Sequence, residues 1–373
     1  MTAPVIPAYG SRTLAELLPS LGAHLGVAGA VDRLGIAEAQ RYVVLLVDGL
    51  GWEQRDWWQG TAPFLSDLAD NAVPITSGVP STTSTSITSL GTGLAPGEHG
   101  IAGYAFYYRP IGGVLNALQW APGVHGLDVQ PQLTYFERLG SAGVRTQAVC
   151  PARFEGSGLT TVALRGPGFI GVQDEEDHLR RVELARDAAL SAAPSLTYVY
   201  ERSLDHTGHG FGVGSPQWLA TLARCDALAS ALREALPADV RLVITGDHGM
   251  VNVPVDERLL AEDEPGLLRD VTNFAGEGRL RQLYTVPGQV AAVARRWQDR
   301  LGDRAWVLTR DEAFDAGWFG PRNPRVADRF GDVLVAMQGS AAVMTRSLPK
   351  ELTLVGMHGS LTAAEVAVPL LVA

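Results

Sequence analysis

Four short runs of consecutive apolar residues recur along the chain. The clearest is YVVLLV at 42–47, and weaker runs lie at 144–149, 196–200 and 240–244. A run that is apolar at every position and rich in β-branched residues is typical of a strand buried on both faces. The pattern therefore predicts four strands of a buried central sheet.

Segments with apolar residues at helical spacing separate these runs. They lie at about 61–71, 132–140, 174–192 and 215–236. The last begins with Ser215 and Pro216, the order expected of a helix N-cap and first turn. Strands that alternate with helices predict an α/β fold with a largely parallel central sheet and helices on both faces.

A more charged segment with shorter elements follows the fourth predicted strand. It carries strand patterns at 282–286, 305–308 and 332–337 and a helix pattern at 288–301. We interpret residues 251–340 as a small α/β insertion. Residues 1–250 and 341–373 would then form the core of the protein.

Composition narrows the range of partners and compartments. The chain of 373 residues has a formal net charge of −10 and no cluster of basic residues, which argues against nucleic acid as a partner. No apolar run reaches the ~18 residues of a membrane span, and no basic segment precedes an apolar one at the N-terminus. We therefore expect a cytoplasmic protein without a membrane partner. Cys150 and Cys225 are expected to be buried thiols.

Side chains typical of metal ligands follow three of the predicted strands. They are Asp48, Asp205, His209, Asp247 and His248, and a further Gly-flanked histidine, His358, lies near the C-terminus. Because ligands bind at the carboxyl ends of the strands in an open parallel sheet, these side chains should converge.

Each of these motifs has a simpler interpretation when it is taken alone. An Asp-Gly pair after a strand is usually a turn, and Asp205 with His209 is compatible with a helix-start cap. The joint pattern favours a metal site. Carboxylate and imidazole ligands without cysteine suit Zn²⁺, with Mn²⁺ or iron as alternatives.

A segment rich in serine and threonine, 81–92, has two interpretations. It is either a polar linker or the start of a helix, and Ile87, Leu90 and Leu94 at helical spacing favour the helix. The N-terminus of a helix attracts phosphate anions, and a nearby metal ion lowers the pKa of a hydroxyl. The segment is therefore a candidate for a nucleophile beside a phosphate site.

Five motifs in this order and spacing resemble one family. They are LLVDGLG, PSTTSTSITSLGTGLAPGEHGI, DHTGH, TGDHGM and GMHGS, and the resemblance that they carry runs from about residue 42 to residue 372. The chain is similar to the nucleotide pyrophosphatase/phosphodiesterase branch of the alkaline phosphatase superfamily. The resemblance implies an alkaline phosphatase-like fold and two divalent metal ions, most often zinc.

The resemblance also implies roles for individual residues. One metal ion would be held by Asp205, His209 and His358, and the other by Asp48, Asp247, His248 and the nucleophile. Position in the motif makes Thr83 the nucleophile, with Thr82 and Thr85 as the alternatives.

The chain departs from the family after the nucleophile. Many members have Phe-Pro-Asn there, whereas this chain has Ser84-Thr85-Ser86, which puts nucleobase stacking in doubt. Ser86 is a candidate replacement donor to the phosphoryl group, and Arg153 is a candidate substrate clamp. Tyr104 begins an aromatic cluster that is either core packing or a wall for the substrate.

The activity implied is hydrolysis of a phosphodiester or pyrophosphate bond in a small molecule or nucleotide, through a phosphothreonine intermediate. Two alternatives use the same site: a phosphomonoesterase and a phosphoryl transferase. A metal-binding module without catalysis is the third alternative. The sequence does not indicate the oligomeric state.

Overall fold

A computed structural model describes residues 3–373. Its strands are Arg41–Val47 (β1), Ile75–Thr76 (β2), Ala105–Tyr108 (β3), Gly113–Asn116 (β4), Arg145–Pro151 (β5), Gly168–Val172 (β6), Ser195–Glu201 (β7), Val240–Thr245 (β8), Val251–Asn252 (β9), Arg258–Leu260 (β10), Val271–Glu277 (β11), Leu280–Thr285 (β12), Ala305–Thr309 (β13), Val333–Met337 (β14), Ala342–Met344 (β15), Gly356–Met357 (β16), Ala367–Val368 (β17) and Leu370–Val372 (β18). Its α-helices are Leu17–His24 (α1), Pro63–Ala69 (α2), Thr83–Thr92 (α3), Pro96–His99 (α4), Gly126–Val129 (α5), Tyr135–Ser141 (α6), Gly158–Ala163 (α7), His178–Leu190 (α8), Ser203–Phe211 (α9), Pro216–Ala235 (α10), Val290–Leu301 (α11), Arg310–Asp315 (α12) and Ala363–Val366 (α13).

The central sheet has six strands in the order β18-β8-β1-β7-β5-β6. All neighbouring pairs are parallel except β18 with β8. The four strands that the apolar runs predict are β1, β5, β7 and β8, so the predicted parallel α/β sheet is confirmed. The edge strands β6 and β18 were not predicted, because β6 is only partly buried and β18 has three residues.

Apolar side chains cover both faces of this sheet. Along β1, Tyr42 and Val44 join one hydrophobic core and Val43 and Leu45 join another. Helices α3 and α6 contribute to the first core, and α8 and α10 contribute to the second. Alternate residues of a strand point to opposite faces, so a run apolar at every position needs a layer on each side.

The register of the sheet brings the carboxyl ends of its middle strands level. Val47 at the end of β1 pairs with Glu201 at the end of β7, and Leu46 pairs with Thr245 at the end of β8. The residues that follow these strands therefore leave the sheet at one edge. This edge carries the candidate site.

A second, antiparallel sheet lies within the predicted insertion. Its order is β11-β12-β14-β13, and α11 packs on it through Val293, Trp297 and Leu301. The three strand patterns and the helix pattern correspond to β12, β13, β14 and α11. Strand β11 was not predicted, since its side chains are mostly half-exposed. The boundaries of the insertion at residues 251 and 340 stay a prediction. Strand β10, inside these boundaries, pairs with β15, which lies beyond residue 340.

Both cysteines, Cys150 and Cys225, are buried free thiols, as predicted. Within residues 3–373, no helix combines the length and the apolar character needed to cross a bilayer.

Close packing at Gly91 of α3 generates a test of the fold. A Cβ atom at this position would overlap the carbonyl oxygen of Ala163 in α7. We expect Gly91→Ala to destabilise the protein by about 1–3 kcal/mol or more. At Gly140 in α6, a Cβ atom meets no other atom within 4 Å, so Gly140→Ala should be neutral or stabilising by up to about 1 kcal/mol. Urea unfolding of both variants tests this, and equal midpoints would contradict it.

Candidate active site

The predicted ligands converge at the carboxyl edge of the central sheet. Asp48 follows β1, and Asp247 and His248 follow β8. Asp205 and His209 lie one turn apart on α9, the helix after β7. His358 directly follows β16, which pairs with β9 and so returns the C-terminal segment to this edge.

Two groups of side chains have their ligand atoms within 4.8 Å of one another. The first group is Asp205, His209 and His358, as the family resemblance implies. The second group is Asp48, Asp205 and His248, so Asp205 belongs to both. The predicted ligand Asp247 adjoins the second group, with its Oδ2 atom 3.6 Å from His248 Nε2.

All three histidines are oriented by backbone carbonyl groups. The Nδ1 atom lies 2.8 Å from Gly356 O in His209, 3.0 Å from Gly249 O in His248 and 2.9 Å from Ser81 O in His358. A carbonyl oxygen only accepts hydrogen bonds, so each Nδ1 carries a proton, and in the neutral tautomer each Nε2 presents a lone pair. This arrangement is typical of histidines that bind a metal ion.

The lone pairs face carboxylate oxygens, which are also acceptors. Asp205 Oδ1 lies 3.3 Å from His209 Nε2 and 3.7 Å from His358 Nε2. Asp205 Oδ1 and Asp247 Oδ2 are buried and have no hydrogen-bond donor among residues 3–373. A bound cation would satisfy such a group of acceptors. Nitrogen and oxygen ligands of this kind suit Zn²⁺, Mn²⁺ or iron.

The electrostatics of the second group follow from burial. Loss of solvent, with the charges of Asp247 and Asp205 added, raises the pKa of Asp48 well above its usual range. Burial also raises the pKa of Asp247 and, with the neighbouring imidazoles, lowers the pKa of His358 well below its usual range. The Tyr200 hydroxyl donates a hydrogen bond to Asp48.

Thr83 is the first residue of α3, and its hydroxyl faces the second group. Thr83 Oγ1 lies 3.2 Å from His248 Nε2 and 3.5 Å from Asp48 Oδ1. The hydroxyls of the two alternative nucleophiles have other partners. Thr82 donates to Glu277 at 3.3 Å, and the buried Thr85 donates to the Ile101 carbonyl at 3.2 Å. The geometry therefore favours Thr83.

Two cavities meet at Thr83. We call the first, of about 260 Å³, the histidine cavity; it is lined by residues that include Tyr104, His209, Glu277, Lys350 and His358. We call the second, of about 320 Å³, the aromatic cavity; it is lined by residues that include Ile87, Arg153, Phe154, Tyr198 and Tyr200. Thr83, Leu118 and Asp205 line both, so Thr83 stands where the cavities join.

The three predicted substrate contacts differ in their positions. Tyr104 lines the histidine cavity, and Arg153, paired with Glu175, lines the aromatic cavity. Ser86 lines neither: it is fully buried, and its hydroxyl has no hydrogen-bond partner among residues 3–373. The structure therefore gives no support to Ser86 as a donor to substrate. Two other residues of the aromatic cluster around Tyr104, Phe106 and Tyr108, are buried in the core.

Two residues at the site were missed in the sequence. Tyr200 reaches Asp48 from inside a predicted strand, where an aromatic residue is usually explained by packing alone. Glu277 comes from the second sheet and lines the histidine cavity. Burial and the charge of Glu351 raise the pKa of Glu277 well above its usual range. No motif surrounds Glu277, so no signal in the sequence marked it.

The comparison with family models gives one match. Residues 42–361 match the model described as type I phosphodiesterase / nucleotide pyrophosphatase.

Solved structures with the same fold share little sequence with this chain. The murine ectonucleotide pyrophosphatase / phosphodiesterase 5, in an inactive variant with AMP, has a TM-score of 0.70 at 17% identity, covering 89% of this chain and 87% of its own. The human protein of that name has a TM-score of 0.66 at 16% identity, with the same coverage. Phosphonoacetate hydrolase from Sinorhizobium meliloti, with phosphonoformate, has a TM-score of 0.68 at 18% identity and covers 90% of each chain. These likenesses show the alkaline phosphatase-like fold.

The raised pKa of Asp48 predicts how stability depends on pH without metal. Above about pH 4 the unfolded chain ionises this carboxyl, while the folded protein keeps the proton until the raised pKa. Stability supplied by Asp48 is therefore present at low pH and is lost as pH rises through that window.

We expect metal-free Asp48→Asn to be more stable than the metal-free wild type at about pH 8, with a weaker pH dependence. With Zn²⁺ added, the variant should gain less stability than the wild type, because a ligand is lost. Thermal unfolding in chelator and in Zn²⁺ measures both effects. Asp239→Asn, which removes an exposed ion pair with Arg41, is the control and should change neither. Identical pH profiles for Asp48→Asn and the wild type would contradict the prediction.

The position of Asp205 in both groups predicts different effects for two ligand variants. We expect Asp205→Asn to weaken the binding of two metal ions and His209→Ala to weaken the binding of one. Zinc content after equilibration at a buffered free Zn²⁺ concentration is the measurement. His206→Ala, a change on the same helix outside both groups, should bind as the wild type does. Equal losses in Asp205→Asn and His209→Ala would show that Asp205 serves a single ion.

Proposed function

Because the chain belongs to the type I phosphodiesterase / nucleotide pyrophosphatase family, we propose that it hydrolyses phosphodiester or pyrophosphate bonds with Thr83 as the nucleophile. Family membership makes it a phosphoester hydrolase of a metal-dependent group. The finer assignment is supported by one observation: the two cavities that meet at Thr83. A phosphodiester has a substituent on each side of phosphorus, and each substituent then has a cavity of its own. A monoester needs only one of them.

The attack on phosphorus depends on how Thr83 is held. In the proposed first step, Thr83 Oγ1 loses its proton and forms the bond to phosphorus, while the bond from phosphorus to the leaving oxygen breaks and the leaving group takes up a proton. A phosphothreonine that still carries the other substituent remains. A water molecule then displaces Thr83 and releases the phosphate monoester. Because Thr83 begins α3, the free N–H groups of the first helical turn would lie beside the phosphoryl oxygens of a bound substrate. These groups and the helix dipole stabilise the negative charge that develops there.

We propose two divalent metal ions as cofactors, with Zn²⁺ as the first choice. Asp205, His209 and His358 would hold one, and Asp48, Asp247, His248 and Thr83 would hold the other, with Asp205 adjoining both. When bound, such ions lower the pKa of a hydroxyl and offset the charge of the transition state. The carbonyl groups that orient the three histidines keep the ligands in place, since each fixes the direction of one lone pair.

The residues that line each cavity indicate which kind of substrate substituent would bind there. The aromatic cavity presents Phe154 and Tyr200, with ring centres 6.2 Å apart, and the Arg153 guanidinium lies 4.7 Å above the Phe154 ring. A flat apolar group fits such walls. The histidine cavity is lined by Tyr104, Glu277 and Lys350, which offer polar contacts to a substituent. The complexes of the murine phosphodiesterase with AMP and of the hydrolase with phosphonoformate support small phosphorus-containing ligands for the proposed site.

The decisive test compares model substrates. We expect bis-(4-nitrophenyl) phosphate to be hydrolysed faster than 4-nitrophenyl phosphate, and we expect Thr83→Ala to lose about 10³-fold or more in kcat. The 4-nitrophenyl ester of thymidine 5′-phosphate, run in parallel, reports whether a nucleobase is recognised. Release of nitrophenolate is measured after chelation and return of Zn²⁺ or Mn²⁺.

Thr85→Val is the matched control, because its hydroxyl faces the core and not the cavities. It should keep kcat within a few-fold of the wild type. Faster hydrolysis of the monoester would replace the diesterase proposal with a phosphomonoesterase that uses the same site. Transfer of the phosphoryl group to an added alcohol would indicate a transferase. A Thr83→Ala protein with full activity would exclude Thr83 as nucleophile.

A further inference from the structure

Glu277 brings a carboxylate from the second sheet into the candidate site. It is the last residue of β11, and its side chain contacts two segments of the site. Glu277 Oε2 lies 3.3 Å from Thr82 Oγ1 and 3.7 Å from Nδ1 of His358. Thr82 precedes the proposed nucleophile, and His358 is a proposed metal ligand. One carboxylate therefore contacts both the residue before the proposed nucleophile and a proposed metal ligand.

The hairpin that carries Glu277 is anchored by a buried ion pair. Arg279, between β11 and β12, donates from Nε to Glu365 Oε1 at 2.9 Å and from Nη2 to Glu365 Oε2 at 2.7 Å. Both side chains are fully buried. Glu365 Oε1 also accepts a hydrogen bond from the backbone N–H of Ser360, two residues after His358, at 3.1 Å. The hairpin and the His358 loop are thus joined through one carboxylate.

The backbone beside His358 leaves little room around Glu277. Gly359 has a φ angle of +132°, and a Cβ atom there would lie 2.9 Å from Glu277 Cγ. The side chain of Glu277 therefore packs directly on the turn that presents His358. Any shift of the hairpin would move this turn or break the contact.

Glu277 also accepts a hydrogen bond from the hydroxyl of Thr82. Thr82 is the N-cap residue of α3, yet its hydroxyl caps no backbone N–H of the helix. Threonine at an N-cap usually accepts a hydrogen bond from the second or third helical N–H. Here the hydroxyl donates to Glu277, and the N–H groups of the first turn stay free for a ligand.

We propose that Glu277 is a positioning residue that holds the nucleophile segment and the His358 loop at a set separation. The proposal rests on the proposed function, since it assigns Thr83 and His358 the roles given above. The two segments, about 275 residues apart in the chain, are joined directly through Ser81, which hydrogen-bonds to Gly359 and Ser360, and Glu277 adds a side-chain contact to each segment. Residues that orient metal ligands from behind typically change metal affinity or activity about 10- to 100-fold when they are removed.

The test measures metal affinity as well as activity. We expect Glu277→Ala to bind Zn²⁺ about 10- to 100-fold more weakly by competition with a chromogenic chelator, and to lose a similar factor in kcat with KM little changed. Glu277→Gln keeps an oxygen that accepts from Thr82 and should recover much of the loss. Glu264→Ala, which removes an ion pair with Arg300 in the same part of the chain, is the matched control and should behave as the wild type does.

A double-mutant cycle checks the route through Thr82. As a single substitution, Thr82→Val should lower kcat. Combined with Glu277→Ala, it should lower kcat little further, because the two side chains act together. It also probes the same contact if Glu277→Ala fails to fold. Wild-type zinc affinity and kcat in Glu277→Ala would overturn the proposal. A lower melting temperature with unchanged zinc affinity would also overturn it, since the role would then be only structural. If the wild type hydrolyses no diester, the proposed function fails, while zinc affinity still decides the role of Glu277.

Discussion

The carboxylates of Asp48, Asp205 and Asp247 lie close together where little water reaches them. Burying like charges costs far more free energy than a folded protein has to spare unless cations compensate them. The Nε2 atoms of three histidines point into the same space, where bound cations would offset the charge of the carboxylates. The rest of the structure is organised around this constraint. The ends of β1 and β8 bring Asp48, Asp247 and His248 to one edge of the sheet, while α9 contributes Asp205 and His209.

Backbone carbonyl groups, more than side chains, orient the three histidines of the site. The carbonyl groups of Ser81, Gly249 and Gly356 orient the three histidines, and each comes from a segment next to the site. Two of the three are glycine carbonyls. Such groups cannot be removed by mutation of a side chain, which makes the ligand geometry robust. Substrate specificity would then depend on the side chains from several elements that line the two cavities.

The proposed ligands could be identified in the sequence because most of them follow the ends of strands. Asp48 and Asp247 follow buried apolar runs, and Asp205 with His209 has the spacing of one helical turn. His358 was recognisable only as a Gly-flanked histidine near the C-terminus, and the family resemblance supplied its role. The resemblance implied one metal ion for Asp205, yet Asp205 belongs to both groups of side chains in the structure. Spacing along the chain does not encode such distances between elements.

The predicted substrate contacts stay a prediction. Ser86 occupies the position of the family's Asn, three residues after Thr83, yet its side chain is fully buried and lines neither cavity. Tyr200 and Glu277 carry no motif, and both reach the site through packing between distant elements.

By itself, the sequence determined the parallel α/β fold, the metal-type ligands and the segment that carries Thr83. It did so because apolar periodicity and strand ends are local features. Only the tertiary structure decided which hydroxyl faces the ligands, how the two cavities meet and how the second sheet enters the site. Those features arise from contacts between residues far apart in the chain, such as Thr82 with Glu277 and Arg279 with Glu365. Local pattern carries no information about such contacts.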